Sequence, residues 1–221
     1  MGVSKFYVAI GLMTLAGYSH GALSVGQSLG VDLGTVAPTN NFNIFSSYIP
    51  IPPLPEVPVG SVIDLTGATV PGVSLTFPNY ANTSSAALAP TVGAPFNASN
   101  SIDYVYSQGV ITVVVNGLDD SLLYNVTVLS YSDFWTSSPQ DIAVNGQPLA
   151  PVVVTSSDNI RVIENLEISG DSITITAFNP AISYGGLINA LVIEAVASPV
   201  PEPSTGILAA LALPVLLRRR R

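Results

Sequence analysis

Two loop segments combine aromatic and polar side chains in the way that sugar-binding sites do. Asp133, Phe134 and Trp135 follow a predicted strand and precede Pro139, and Tyr184 lies in a loop ahead of the last predicted strand. A tryptophan can stack on a sugar face while a carboxylate accepts hydrogen bonds from its hydroxyls. Asp133, Trp135 and Tyr184 are therefore the predicted ligand-binding residues. The alternative, the commoner role of a large aromatic side chain, is that Trp135 packs into the core.

The acidic residues suggest a second kind of chemistry, glycoside hydrolysis. That reaction needs two carboxyl groups roughly 5 to 10 Å apart, and Asp119 and Asp120 are adjacent in sequence. Neighbouring side chains in an extended segment point apart, and aspartates in turns more often cap the backbone. We therefore expect no catalytic residues and no enzymatic activity, with a carboxylate-dependent glycan hydrolase or lyase as the alternative.

A structural Ca²⁺ ion is a third possibility. Calcium takes carboxylate and carbonyl oxygens as ligands, and Asp32 and Glu194 lie on the first and last predicted strands. Those two residues are the candidate metal ligands, although no calcium-loop motif accompanies them. The alternative is a solvated acidic surface.

Composition excludes several other classes of function. The only histidine, His20, lies near the N-terminus, and the chain has no cysteine. Catalytic triads that need histidine, cysteine nucleophiles and zinc sites of His and Cys therefore cannot be assembled. Between residues 22 and 200, Arg161 is the only Lys or Arg beside thirteen Asp and Glu, a formal charge of −12. One arginine cannot neutralise a phosphate backbone, so we expect no nucleic-acid partner.

The central part of the chain has the pattern of an all-β domain, with period-two alternation and short runs rich in Val, Ile and Thr. Ile173 and Ile175 share one face of a predicted strand while Thr174 and Thr176 share the other, which suits a sheet with one buried side. Turn pairs that accept positive φ separate the strands: Asn116-Gly117, Asn145-Gly146, Gly170-Asp171 and Gly185-Gly186. The predicted strands cover residues 30–33, 61–65, 72–77, 109–115, 124–131, 141–144, 152–154, 160–168, 172–177 and 187–196.

Two segments are predicted to be irregular. Residues 49–58 contain five prolines and suit a polyproline-like surface loop. Residues 78–100 are rich in Ala, Ser, Asn and Pro and suit a long loop.

Residues 115–131 carry a more specific signal. Gly117-Leu118 followed by acidic residues, with Tyr124 opening an alternating strand, is similar to the fibronectin-type corner in which a tyrosine hydroxyl bonds back to the preceding loop. Together with residues 31–34, 39–47 and 187–196, the order resembles uncharacterised secreted jelly-roll domains, similar in outline to galactose-binding and malectin-like modules. The resemblance implies an antiparallel β-sandwich, jelly-roll-like, over residues 22–198, with its first and last strands close together.

Both ends of the chain look like processing segments. Lys5 supplies a positive charge, residues 6–16 form an apolar run too short to span a bilayer, and small residues precede a cleavage position after Gly21. We therefore predict a signal peptide over residues 1–21, read by the Sec translocon and signal peptidase. Residues 206–217 form a second apolar stretch, predicted as a helix, and the arginines that follow it would remain cytoplasmic under the positive-inside rule.

The C-terminal segment, residues 199–221, has three parts in a recognisable order. Pro201, Glu202 and Pro203 precede the apolar stretch, and Arg218, Arg219, Arg220 and Arg221 end the chain. This arrangement resembles the PEP-CTERM sorting tail. The resemblance implies recognition by exosortase, transient anchoring in the inner membrane through a transmembrane helix, and a Gram-negative producer whose secreted or surface protein associates with exopolysaccharide in the biofilm matrix.

The sequence thus predicts a secreted or cell-surface β-sandwich of the extracellular matrix with weak carbohydrate binding. A glycan hydrolase or lyase is the alternative enzymatic function, and a purely structural matrix protein is the third hypothesis. Binding requires an exposed aromatic platform, hydrolysis requires two facing acids in a cleft, and the structural role requires neither.

Overall fold

The computed structural model describes residues 22–34, 39–45, 56–57, 60–79, 82–85, 92–107, 109–133, 139–155, 157–181 and 185–199. These ranges form an all-β structure with a single turn of 3₁₀ helix at Ala98–Ser101. The strands are β1 (Ser28–Asp32), β2 (Asn43–Ile44), β3 (Glu56–Val57), β4 (Ser74–Thr76), β5 (Asn82–Ser85), β6 (Asp103–Tyr106), β7 (Ile111–Asn116), β8 (Leu123–Leu129), β9 (Pro139–Val144), β10 (Gln147–Pro148), β11 (Val152–Val153), β12 (Ile160–Glu167), β13 (Ser172–Phe178), β14 (Leu187–Ile188) and β15 (Ala190–Val196).

The described strands form three sheets whose pairs are antiparallel, except for the parallel pair β1 and β2. The first sheet has the order β12-β8-β15-β1-β2, and the second has the order β10-β9-β13-β7-β4-β3 with β11 paired to β9. A small third sheet has the order β14-β6-β5. The first strand, β1, pairs along its whole length with the last strand, β15, which confirms the predicted closeness of the two.

The two larger sheets pack face to face around one hydrophobic core. Val126 and Ile193 from the first sheet lie in the same buried cluster as Val113 and Ile175 from the second. The alternation predicted for β13 is confirmed, because its isoleucines are fully buried while its threonines are partly exposed. Burial of one face of each sheet against the other makes the domain a β-sandwich.

A smaller core covers part of the outer face of the first sheet. The rings of Phe42 and Phe96 lie 6.1 Å apart and pack with Leu129 and Val192. Gly30 permits this close approach, because a Cβ at that position would come within 2.8 Å of the Phe42 ring. The segments 39–45 and 92–101 therefore rest on a sheet face that would otherwise be exposed.

The structure differs from the sequence predictions in a few elements. Residues 61–65 form only an isolated bridge between Ile63 and Thr69 rather than a strand. The segments predicted as loops contain β3, β5 and the 3₁₀ helix. The two strands are short and lack an apolar alternation, and they form because β3 pairs with β4 and β5 pairs with β6. Asn189 divides the predicted last strand into β14 and β15.

The predicted turns are confirmed by their backbone angles. Asn145 and Gly146 both have positive φ, at 49° and 77°. Gly117, Gly170 and Gly185 also have positive φ, which an L side chain rarely adopts.

The sandwich has two ends with different contents. At one end, here named the cleft end, residues 22–27, 117–122 and 170–171 meet around a surface cleft. The opposite end, here named the loop end, contains the described residues 107–110 (without 108), 130–133, 139–140, 178–181 and 185–187. Strand β7 runs from the loop end to the cleft end, and β13 returns beside it.

Both ends of the described chain lie at the cleft end. The Gly26 amide donates a hydrogen bond to the Ala195 carbonyl, and Val196 pairs with Leu123. Among the described residues, no helix is both long and apolar enough to cross a membrane. The predicted signal peptide and, apart from Pro199, the predicted sorting segment with its apolar helix lie outside the described residues.

Candidate functional site

The predicted tyrosine corner is present at the cleft end. The Tyr124 hydroxyl accepts a hydrogen bond from the Asp119 amide and donates one to the Asp119 carbonyl, each at 2.9 Å. Burial is the main cause that raises the pKa of Tyr124 to about 12, so the hydroxyl stays protonated at neutral pH. The corner fixes the turn between β7 and β8 at one wall of the cleft.

The cleft has a volume of about 900 Å³ and three aspartates, Asp119, Asp120 and Asp171, in its lining. The Asp119 carboxylate accepts hydrogen bonds from the Ser121 amide at 2.9 Å and from the Ser121 hydroxyl at 2.6 Å. Asp119 therefore caps a turn, which is the structural role that aspartates often take there. Asp120 and Asp171 are exposed to solvent.

A buried glutamine organises the loop end. Gln140 is fully buried, and its amide nitrogen donates to the Ser130 hydroxyl at 2.6 Å and to the Leu187 carbonyl at 2.8 Å. Its amide oxygen accepts a hydrogen bond from the Leu187 amide at 2.8 Å. Gln140 thus ties together the backbone that leads into segment 134–138 and the backbone that follows segment 182–184.

Asn189 makes a second buried connection at the same end. Its side-chain oxygen accepts a hydrogen bond from the Tyr131 amide, and its side-chain nitrogen donates to the Asp103 carbonyl at 2.8 Å. The Ser130 hydroxyl also donates to the Leu187 carbonyl at 2.7 Å. Buried polar groups that are fully hydrogen-bonded specify one arrangement of the chain. The strand ends beneath the loops are therefore fixed in position.

Of the three predicted ligand-binding residues, the described ranges include Asp133. Asp133 is exposed, three residues beyond Ser130. Trp135 and Tyr184 lie outside the described residues. The structure places the backbone before segment 134–138 close to the backbone after segment 182–184, through the contacts of Ser130 and Gln140 with Leu187. The sequence alone did not indicate this arrangement.

Gln140 and Asn189 were not predicted, although the sequence carried a signal for each. Gln140 has the same strand phase as the buried Ile142 and Val144, so it is a polar residue on an apolar face. Asn189 interrupts an otherwise apolar run between Leu187 and Ile193. A polar residue at a core position indicates a buried hydrogen-bond network.

The structure does not bring the predicted calcium ligands Asp32 and Glu194 together. Asp32 pairs with Ala190, whereas Glu194 pairs with Ser28 at the other end of β1. Four residues of extended chain separate the two positions, roughly 13 Å at the usual rise of a strand. Glu194 instead accepts a hydrogen bond from Asn125 at 3.2 Å. This arrangement corrects the expectation that both would share one ion.

Asp32 has a different acidic neighbour, Asp103. Asp32 is fully buried, and its Oδ2 accepts a hydrogen bond from the Asn100 side chain at 2.7 Å. Burial chiefly raises the pKa of Asp32 to about 7, the Asn100 hydrogen bond opposes this rise, and the charge of Asp103 adds to it. In the described ranges no group of three or more His, Cys, Asp or Glu side chains is arranged to hold a metal.

Comparison with known proteins gives distant structural similarity. No protein-family model matches the sequence, and no curated protein matches it. A solved plant complex of the peptide RALF23 with FER and LLG2 is 12% identical with a TM-score of 0.47, covering 82% of this chain and 43% of that chain. A Bacillus subtilis protein is also 12% identical, with a TM-score of 0.45 and coverage of 79% and 42%.

A family 35 carbohydrate-binding module from Clostridium thermocellum is 22% identical, with a TM-score of 0.30, and the match covers 51% of this chain and 90% of the module. This last neighbour is a binding module rather than a catalytic domain. The chain spans less than half the length of the first two proteins. TM-scores this low identify neither a family nor a ligand for this chain.

Proposed function

We propose that this protein is a secreted β-sandwich that binds carbohydrate weakly at its loop end and has no catalytic role. The observation that carries the proposal is the Gln140 connection between Ser130 and Leu187. It joins, at the loop end, the described backbone before segment 134–138 to the described backbone after segment 182–184. Two aromatic side chains and the exposed Asp133 in one place would supply a stacking surface and an acceptor for sugar hydroxyls.

The positions of the chain ends support display of this site away from a membrane. Residues 22 and 199 both leave the domain at the cleft end, because β1 and β15 pair in register. A sorting tail that begins at Pro201 would therefore tether the cleft end to the cell surface. The loop end would then face the exopolysaccharide. We propose exosortase as the enzyme that recognises this tail, with outer-surface display or release as the result.

A glycan array probed with the full chain tests the binding proposal. We expect retention on one class of matrix polysaccharide, with loss after Trp135→Ala or Tyr184→Ala and partial recovery with Trp135→Phe, because a phenyl ring keeps a smaller stacking surface. Val162→Ala is the control, since Val162 is an apolar side chain, 50% exposed, on the outer face of the first sheet. If the wild-type chain binds none of the glycans, the binding proposal is wrong and the purely structural matrix role replaces it.

The same samples test the enzymatic alternative. Incubation with the retained polysaccharide should release no new reducing ends and no unsaturated products. Release of either product by the wild-type chain would contradict the proposal and return the carboxylates to consideration as catalytic groups.

Cell fractionation tests the sorting proposal. In a host that has exosortase, we expect the mature protein outside the cell, and replacement of Pro201, Glu202 and Pro203 by alanine should retain the precursor in the inner membrane. Replacement of Ser204 by alanine is the control. Equal export of the triple variant would show that the Pro-Glu-Pro sequence does not direct sorting.

A further inference from the structure

Two aspartates from distant parts of the chain share one buried polar cluster. Asp32 ends β1 and Asp103 begins β6, and both side chains are fully buried. The Asp103 carboxylate lies against Gly34, because a Cβ at Gly34 would come within 2.0 Å of its Cγ. Asn100, three residues before Asp103, contacts Asp32 directly. The cluster therefore concentrates negative charge in a region closed to solvent.

No basic side chain of the domain is available to balance this charge. Arg161 is the only Lys or Arg between residues 22 and 200. Its guanidinium bonds to the Asp158 carboxylate at 2.7 Å and to the Ala150 carbonyl at 2.7 Å. Buried carboxylates in proteins are paired with a cation, coordinate a metal or take up a proton.

The arrangement of oxygen atoms favours a metal. Asp32 Oδ1 is buried and has no hydrogen-bond partner among the described residues. The Asn40 side-chain oxygen accepts a long hydrogen bond of 3.4 Å from the Asn100 side-chain nitrogen. Asn40 is half-buried, so it lies at the solvent side of the cluster. Two carboxylates and an amide oxygen are the donor types that hard cations prefer.

We propose that Asp32 and Asp103, with the side-chain oxygen of Asn40, bind one Ca²⁺ ion. Calcium suits this position better than Mg²⁺, because Mg²⁺ loses its water ligands reluctantly and a buried site admits few of them. A secreted domain also meets the millimolar calcium at which extracellular sites fill. Because Asn189 joins the Asp103 carbonyl to the Tyr131 amide, the ion stabilises the strand ends beneath the loop end.

Thermal unfolding of the full chain in detergent tests this site without any sugar, so the result is independent of glycan binding. We expect 10 mM Ca²⁺ to raise the Tm by roughly 5 to 10 °C over EDTA, and Mg²⁺ to raise it much less. Calorimetric titration should give one ion per chain with a Kd on the order of 10⁻⁴ M.

Variants locate the ion. Asp32→Asn and Asp103→Asn should abolish the calcium-dependent shift, and the half-buried Asn40→Ala should weaken the affinity by about tenfold while the fold is kept. Glu194→Gln is the matched control and should keep the full shift, since its carboxylate lies at the other end of β1. A wild-type chain without a calcium shift, a full shift in Asp32→Asn, or a lost shift in Glu194→Gln would each overturn the proposal. If the aspartate variants fail to fold, unchanged affinity in Asn40→Ala or the absence of a wild-type titration signal overturns it.

Discussion

The hydroxyl of Tyr124 forms two hydrogen bonds with the backbone of a single residue: it accepts one from the Asp119 amide and donates one to the Asp119 carbonyl. The contact joins the start of β8 to the turn that precedes it, and the ring is fully buried beneath. One side chain thus fixes both the corner of the sandwich and a wall of the cleft.

Tyr124→Phe should destabilise the domain by about 1 to 2 kcal/mol, because the Asp119 amide and carbonyl lose their partner while the ring still fills the core. Urea unfolding followed by tryptophan fluorescence measures the change. Tyr131→Phe is the matched control, since Tyr131 is also a mostly buried tyrosine but takes no part in the corner hydrogen bonds. Equal losses of unfolding free energy in Tyr124→Phe and Tyr131→Phe would mean that the corner hydrogen bonds do not stabilise the domain.

Gln140→Ala should cost about 2 kcal/mol or more of unfolding free energy. The substitution leaves the Leu187 amide buried without its acceptor and removes two donated hydrogen bonds. Gln147→Ala, an exposed glutamine in β10, should change stability little. Denaturant titration of both variants provides the comparison, and a neutral Gln140→Ala would show that the buried connection does not hold the loop end together.

Gly146→Ala should destabilise the domain by about 1 kcal/mol, because Gly146 has φ of 77° and alanine is strained there. Gly93→Ala is closely matched, since a Cβ meets nothing within 4 Å at either position and the φ of Gly93 is not in the left-handed region. Gly93→Ala should be neutral or slightly stabilising. Thermal unfolding of the pair separates backbone strain from steric crowding, and equal Tm values would argue against strain.

Asp64 should make the unfolding free energy of the domain depend on pH in the acid range. The Thr66 hydroxyl is the largest cause that lowers the pKa of Asp64, with help from the Ala68 and Thr66 amides and the Gln27 side chain, while burial opposes them. A carboxyl whose folded pKa is depressed stabilises the fold above its unfolded pKa, near 4, and this contribution is lost as pH falls through the lower folded value.

Thr66→Val removes the strongest of these hydrogen bonds, 2.6 Å between the Thr66 hydroxyl and Asp64 Oδ1. The acid limb of a stability-against-pH curve should therefore move to higher pH in the variant. Urea unfolding between pH 2 and pH 6 measures the curve. Superimposable acid limbs for the wild type and the variant would contradict this assignment.

The sequence by itself determined the features that depend on local chemistry. Alternation at Ile173 and Ile175 predicted a half-buried strand, glycines at 117, 146, 170 and 185 predicted the turns, and Tyr124 predicted the corner. Each of these depends on side-chain period or on backbone freedom within a few residues, which neighbours in sequence decide.

Tertiary structure alone decided which distant residues meet. Asp32 and Asp103 are 71 positions apart, and their closeness depends on how β6 and the 3₁₀ helix are placed near the end of β1. The register of β1 with β15 likewise separates Asp32 from Glu194, although both lie on strands that pair. A period of two indicates which face a residue occupies, but not which residue lies opposite. Short polar strands such as β5 form only because a partner strand is present, and so the sequence could not reveal them.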